Sequence, residues 1–215
     1  MIIECEAILF DMDGTLIDST IACEQLLRNW AVRHNLPSDH VITFGHGRRN
    51  LDVVRELTPH LPAEQEAEGL DQEELNYRDG IFAVRGALQL LSLLPVGRWA
   101  VVTSASRKVA HMRFACAGLP LPSVLISSDD VSRGKPDPEG YLLAATRLGV
   151  RPERCLIIED TPAGVEAGRI SGIQVLGITT TFGRDTLNCD TIVDFTEVTV
   201  NVGDGSALRL EVGQH

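Results

Sequence analysis

The stretch "ILFDMDGTLIDST", Ile8 to Thr20, decides how this chain is read. An apolar run from Ala7 to Phe10 leads straight into Asp11 and Asp13, with Gly14 and Thr15 behind them. A run with no polar interruption predicts a strand buried on both faces. Acids are kept out of cores unless they are paired or hold a metal. Asp and Gly are also ordinary turn residues. The stretch alone therefore leaves two readings, a plain turn or a metal-dependent reaction site at the carboxyl end of a strand.

The downstream pattern chooses between them. "RWAVVT" (Arg98–Thr103), "VLIS" from Val124, "CLIIED" (Cys155–Asp160) and "QVLGI" (Gln174–Ile178) read as further apolar strands. Helical patterns separate them: Gly86 to Leu94, Ser106 to Ala117 stopped by Gly118, Pro138 to Leu148 with Asp137 as N-cap and Gly149 beyond, and a helix opened by Thr161 and Pro162 and ended near Gly172. Strands alternating with helices predict an α/β fold, a parallel sheet covered on both faces. The tail "VTVNVGDGSALRLEV" alternates at period two around "GDG" and predicts a hairpin.

Between the first strand and this array lies a helical segment. Cys23, Leu26, Leu27, Trp30 and Ala31 recur at helical spacing within Ser19 to Asn35, and "NLPSD" ends that helix. Leu51, Val54 and Leu57 mark a second helix over Arg49 to Leu57. Ala63 to Asp79 is acidic and weakly periodic, which predicts a solvated helix face. The expected organisation is an α/β core of residues 1–16 and 84–215, with residues 17–83 inserted as a helical unit.

Composition narrows the function classes. The 215 residues carry a net charge of −11 and are 44% hydrophobic, which suits a folded domain and argues against nucleic-acid or anionic-membrane partners. No stretch has the length of a transmembrane helix, and no signal peptide is expected. The five cysteines, Cys5, Cys23, Cys116, Cys155 and Cys189, are scattered without a CxxC, so a reducing cytoplasm is expected.

Ligands of open parallel sheets bind beyond the carboxyl ends of the strands. The residues expected there are Asp11 and Asp13, Thr103 and Ser104, Lys135 in "SRGKPDP", and Glu159 with Asp160. Singly, each has an ordinary explanation as a turn, a cap or a surface lysine. Together they fit phosphoryl transfer. Oxygen ligands select a hard cation such as Mg²⁺, with Asp11 and Asp160 the natural carboxylates and Glu159 a further candidate. A carboxylate beside the ion can serve as nucleophile. Asp13 can protonate the leaving oxygen and then activate water. Lys135 and a hydroxyl from Ser104 or Thr103 can hold phosphate oxygens, as can backbone N–H groups around Met12 to Gly14 and near Ala105.

"DMDGT", "VVTSAS", "GKPDPEGY" and "IIEDTPAGVEAG" resemble, in order and spacing, the four motifs of the haloacid dehalogenase superfamily. The resemblance covers nearly the whole chain. It implies a Rossmann-like core with an inserted helical cap, Asp11 as nucleophile, Asp13 as acid and base, and Mg²⁺ held by Asp11, the Asp13 carbonyl and Asp160. Phosphate contacts are implied for Ser104 and Lys135. "FGHGRRNLDVVREL" resembles the cap of the sugar-, glycerol-phosphate and deoxyglucose-phosphate phosphatases of that superfamily, and the tail "FTEVTVNVGDG" resembles its bacterial sugar-phosphatase group. His46, Arg48 and Arg49 are the cap candidates for substrate contact, with Gly45 and Gly47 allowing close approach.

The expected activity is a Mg²⁺-dependent phosphatase for a small phosphorylated metabolite, a sugar or polyol phosphate. The acid at Asp13 argues against dehalogenation. A hexose-phosphate mutase is the alternative, but such enzymes carry a cap histidine where this chain has Cys23. A receiver-like signalling module needs neither Asp13 nor a lid. The residues say nothing of oligomeric state, and a monomer is compatible with them.

Overall fold

The computed structural model describes residues 1–203 and 207–213. In chain order the elements begin with β1 (Ile2–Cys5), β2 (Ala7–Phe10) and β3 (Ile17–Asp18). Four helices follow: α1 (Thr20–Arg33), α2 (Ser38–Gly45), α3 (Asn50–Leu57) and α4 (Ala63–Glu74). Then come β4 (Phe82–Ala83), α5 (Ala87–Leu93), β5 (Trp99–Val102), α6 (Arg107–Ala117), β6 (Leu125–Ile126) and α7 (Glu139–Leu148). The last elements are β7 (Cys155–Glu159), α8 (Pro162–Ser171), β8 (Gln174–Ile178), α9 (Arg184–Leu187), β9 (Thr191–Ile192), β10 (Val198–Val202) and β11 (Leu208–Val212).

The fold is α/β and Rossmann-like. Six strands form one parallel sheet in the order β6-β5-β2-β7-β8-β9. Every residue of β2, β5 and β7 is buried, as two covered faces require. The two faces separate by strand period. Ile8 and Phe10 pack with Val101, Phe114 and Ile158 on one side, while Ala7 and Leu9 pack with Val102, Tyr141 and Ile157 on the other. β2 is flanked by β5 and β7, so the residues that end these three strands are neighbours at one sheet edge.

The four helices α1–α4 bury a separate apolar cluster of Leu26, Leu27, Trp30, Val41, Ile42, Val53, Val54 and Leu70. Two short strands, β3 and β4, lie antiparallel where the chain enters and leaves this region, pairing Ile17 with Ala83 and Asp18 with Phe82. The predicted break at "NLPSD" holds only to Pro37. Ser38 starts α2, whose apolar signal is confined to Val41, Ile42 and Phe44, too short a run to show helical period. The acidic stretch does form a helix, α4, but Ala67, Leu70 and Glu74 are buried against its neighbours.

The tail hairpin is present, with Val198 opposite Val212 and Val202 opposite Leu208. Asp204 and Gly205 of its expected "GDG" turn lie outside the described residues. A third strand, β1, pairs with β11 and was not expected, because its partner lies at the other end of the sequence. α7 begins one residue later than predicted, at Glu139, and Asp137 still caps it by accepting the Glu139 N–H at 3.0 Å. No helix among the described residues is long and apolar enough to cross a membrane.

Candidate active site

Asp11 follows the last residue of β2 and keeps strand pairing, its N–H donating to Ile158 O at 3.0 Å. The chain then doubles back. Leu16 and Ile17 N–H groups donate to Met12 O, and Gly14 N–H donates to Ile17 O at 2.7 Å. Gly14 makes the turn with φ +81°, and a Cβ there would stand on the Asp160 carboxylate and the Thr181 hydroxyl. Thr15 completes the junction: its hydroxyl donates to Asp160 Oδ1 at 3.1 Å. The turn "DGT" thus serves to fit β2 against the end of β7.

Asp11, Glu159 and Asp160 are buried and bring carboxylate oxygens within 4.8 Å of one another. Lys135, from the loop before α7, is the cation among them. Its Nζ donates to Asp11 Oδ1, to Glu159 Oε1 at 2.6 Å and to Val102 O at 3.2 Å. Burial pushes Asp11 up to about 7; the Lys135 ammonium pulls it down and the Glu159 charge adds to the rise. Asp160 is raised well above the carboxylate range by burial, and by the charges of Glu159 and Asp11.

Glu159 has its oxygens occupied. Oε1 accepts from Lys135 and from the Tyr141 hydroxyl at 2.9 Å, and Oε2 accepts from the N–H groups of Asp160 and Thr161 and from the Thr161 hydroxyl. Asp160 differs. Its Oδ2 is buried and makes no hydrogen bond of good geometry among the described residues, although the nearby Thr181 hydroxyl pulls the Asp160 pKa down. An orphaned carboxylate oxygen, beside a second carboxylate and with one ammonium for the cluster, fits a divalent cation. The donor set is all oxygen, which suits Mg²⁺.

Thr103 and Ser104 end β5 and play different parts. Thr103 Oγ1 accepts the Ala105 N–H at 3.1 Å, which leaves its own proton to donate. Ser104 Oγ donates to Gly47 O at 2.8 Å. Gly14 and Ala105, expected as backbone anion sites, both line the cavity, and their N–H groups here donate to Ile17 O and to Thr103 Oγ1.

One cavity is lined by Asp11, Asp13, Gly14, Thr103, Ser104 and Ala105 from below and by His46 and Arg48 from the helical region above. His46 packs edge-on against Phe182, ring centroids 5.7 Å apart, and burial lowers its pKa despite Glu24 at 3.7 Å. The Arg48 guanidinium lies over the Phe44 ring, 4.5 Å from its centroid. Arg49 is not in that cavity wall. It is buried, paired to Asp52 at 2.7 Å, and donates to the carbonyls of Val131 and Ser132. Expected as a substrate contact, it instead stands at the start of α3 and holds the loop that carries Lys135.

Asp13 reaches the cavity from the opposite side of the turn. Its Oδ1 accepts from the Ser19 hydroxyl at 2.6 Å, and its Oδ2 meets Arg113 Nη1 at 2.5 Å. Arg113 also pairs with Glu74 at the end of α4. Sequence reading missed Ser19, Glu74 and Arg113. One signal existed for Arg113: it follows Val109 and Ala110 at helical spacing on the buried face of α6, where a solvated arginine does not belong.

The haloacid dehalogenase-like hydrolase family model matches residues 5–172. The chain is 42% identical over 179 residues to hexitol phosphatase A of Escherichia coli (strain K12), covering 81% of this chain and 83% of that protein. It is 34% identical over 225 residues to glycerol-1-phosphate phosphohydrolase 2 of Saccharomyces cerevisiae, covering 98% and 90%. Among solved structures, a hydrolase from Pseudomonas syringae superposes with a TM-score of 0.77 at 26% identity, over 85% of this chain and 89% of that one. A buried Asp-Lys-Asp cluster at the edge of a parallel sheet, roofed by helices, thus occurs in a chain that belongs to the haloacid dehalogenase-like hydrolases.

Proposed function

We propose that this protein is a phosphoric monoester hydrolase that takes small sugar or polyol phosphates and carries the phosphoryl group transiently on Asp11. One observation carries the reading: Asp11 is buried against Lys135, beside the orphaned oxygen of Asp160, at the floor of a cavity whose far wall comes from a helical cap. The substrate class is supported by relatives named for hexitol, glycerol-1-phosphate and 2-deoxyglucose-6-phosphate hydrolysis.

The residues divide the work as follows. A carboxylate oxygen of Asp11 attacks phosphorus while the bond from phosphorus to the leaving oxygen breaks. Asp13 gives its proton to that oxygen, and the alcohol departs. Asp13 then takes a proton from water as the water oxygen attacks the phosphoryl group on Asp11, which regenerates the carboxylate and releases phosphate. Lys135 holds negative charge next to Asp11, and the Thr103 hydroxyl is free to donate to a phosphate oxygen, with Ser104 available once its bond to Gly47 is exchanged. Asp11, Asp160 and the Asp13 carbonyl would hold Mg²⁺, which would neutralise phosphate charge during transfer. Glu159, with its oxygens occupied, serves to orient Lys135 and the backbone of Asp160. His46 and Arg48 would contact the rest of the substrate.

Cys23 stands where the mutase reading expects a histidine. It contacts Ser19 and Arg113, and burial pushes its thiol up to about 12, which suits packing better than proton transfer. Five free cysteines suit the reducing cytoplasm.

The test is phosphate release from a panel of glycerol, hexitol and hexose phosphates, with Mg²⁺ or with excess chelator. Release from at least one polyol or sugar phosphate that needs Mg²⁺ supports the reading. Full activity in chelator would remove the metal, and inactivity across the panel would remove the substrate class.

A further inference from the structure

Arg113 lies outside all four motifs, yet it bonds the proposed acid. It projects from α6 in the core and its side chain is 2% exposed. Nη1 meets Asp13 Oδ2, and Nη2 meets the Glu74 carboxylate and Cys23 Sγ, the last at 3.2 Å. With Ser19 on Oδ1, both oxygens of Asp13 are held. Glu74 is the final residue of α4 and lines the same cavity as Asp11, and its other oxygen takes a longer bond from Asn50 at 3.4 Å. One guanidinium therefore bridges the catalytic turn and the last cap helix.

A buried ion triad is weak evidence for a stabilising role. Buried ion triads are often no better than apolar packing of similar volume. A fork-shaped donor, however, fixes the direction of a carboxylate in a way that a point charge does not. Proton transfer to a leaving oxygen needs that direction.

We propose that Arg113 is a positioning residue: with Ser19 it aims the Asp13 carboxyl at the leaving oxygen, and through Glu74 it makes that aim depend on the cap being seated. The proposal rests on the reading of Asp13 as acid and base given above.

The test uses R113K and E74Q, which keep a charge or a shape at each position, together with D13N and the D13N/R113K double variant. Formation of the phosphoaspartate is followed in single turnovers with glycerol phosphate and with p-nitrophenyl phosphate, whose leaving group needs little protonation. R113K should slow the glycerol phosphate step by roughly 10- to 100-fold with little change in KM, as expected of a misaimed catalytic group. The aryl phosphate should fall by less than about threefold, since the protonation it needs is small. E74Q should show the same preference with a smaller loss, and R113K should add nothing to D13N.

Equal losses on both substrates, or full additivity with D13N, would make Arg113 a purely structural residue and overturn the proposal. An E74Q enzyme at full speed would remove the link to the cap. If R113K does not fold, the R113M/E74M pair, which deletes both buried charges, carries the same substrate comparison. D13N reports on the underlying reading: if it slows both substrates alike, Asp13 is not the acid. If it discriminates while R113K does not, only the role of Arg113 falls.

Discussion

Ser104 Oγ donates a 2.8 Å hydrogen bond to the carbonyl of Gly47, joining the end of a core strand to the loop between α2 and α3. Gly47 has φ +74°, and a Cβ there would lie 3.0 Å from Thr161 Cβ and closer still to its hydroxyl. Thr161 cannot yield easily, because its Oγ1 caps α8 and bonds Glu159. Gly47→Ala should therefore push the loop off the core. A displacement of about 1 Å costs on the order of 100-fold in rate, to be measured as kcat/KM for a polyol phosphate. An unchanged kcat/KM would show that the loop tolerates the shift.

Neighbouring arginines should behave differently. Arg48→Ala removes a cavity-wall group and should cost about 1–3 kcal/mol in kcat/KM for a polyol phosphate, with little loss on an aryl phosphate. Arg49→Ala frees the carbonyls of Val131 and Ser132, four and three residues before Lys135, and should slow both substrates alike. Parallel kinetics on the two substrates separates the cases.

Asp11→Asn should abolish turnover yet leave the fold. Lys135 retains Glu159 as a partner at 2.6 Å, and the variant removes a crowded buried carboxylate. Unfolding in urea should show stability within about 1 kcal/mol of the parent, or higher, because relieving buried charge offsets the lost pair. A loss of several kcal/mol would mean that the Asp11–Lys135 pair holds the core together.

Mg²⁺ should stabilise the protein against unfolding, independent of any turnover. At 100 times its dissociation constant a ligand adds about 2.7 kcal/mol. Asp160→Asn should lose most of this gain in a thermal melt while leaving the metal-free melt near that of the parent. An equal Mg²⁺ gain in parent and variant would take Asp160 out of the ligand set.

The His46 imidazole supplies a pH signature in stability. Burial lowers its pKa from the ordinary 6.5, with Glu24 pulling the other way. As pH falls below 6.5, the unfolded chain takes up the proton before the folded one does. The unfolded state then binds more protons, so stability decreases with falling pH and levels off below the folded value. Above 6.5 the residue contributes no slope. His46→Gln should flatten that part of the curve when urea midpoints are compared between about pH 5 and 8.

Local chemistry made the central site legible. Asp11, Asp13, Lys135 and Asp160 each stand in a short stretch that names its own strand end or loop, and strand order then gathers them. What escaped depends on pairing across distance. Arg113 meets Glu74 across 39 residues, and β1 meets β11 from opposite ends of the chain. Nor could sequence tell Arg48 from Arg49. Adjacent residues at a helix entry point in different directions, and only the packing of α3 on the Lys135 loop decides which one faces the cavity.

The β3–β4 ladder places the two chain crossings side by side, Asp18 opposite Phe82. The helical roof is thereby a closed excursion that leaves and returns at one point. A replacement segment has one backbone seam to match, besides the side-chain contacts that Gly47, Arg49 and Glu74 make with the core. Exchange of everything between Asp18 and Phe82 for other helices is therefore a design operation with a defined splice, provided the incoming segment also supplies partners for Asp13 and Arg113 in place of Ser19 and Glu74.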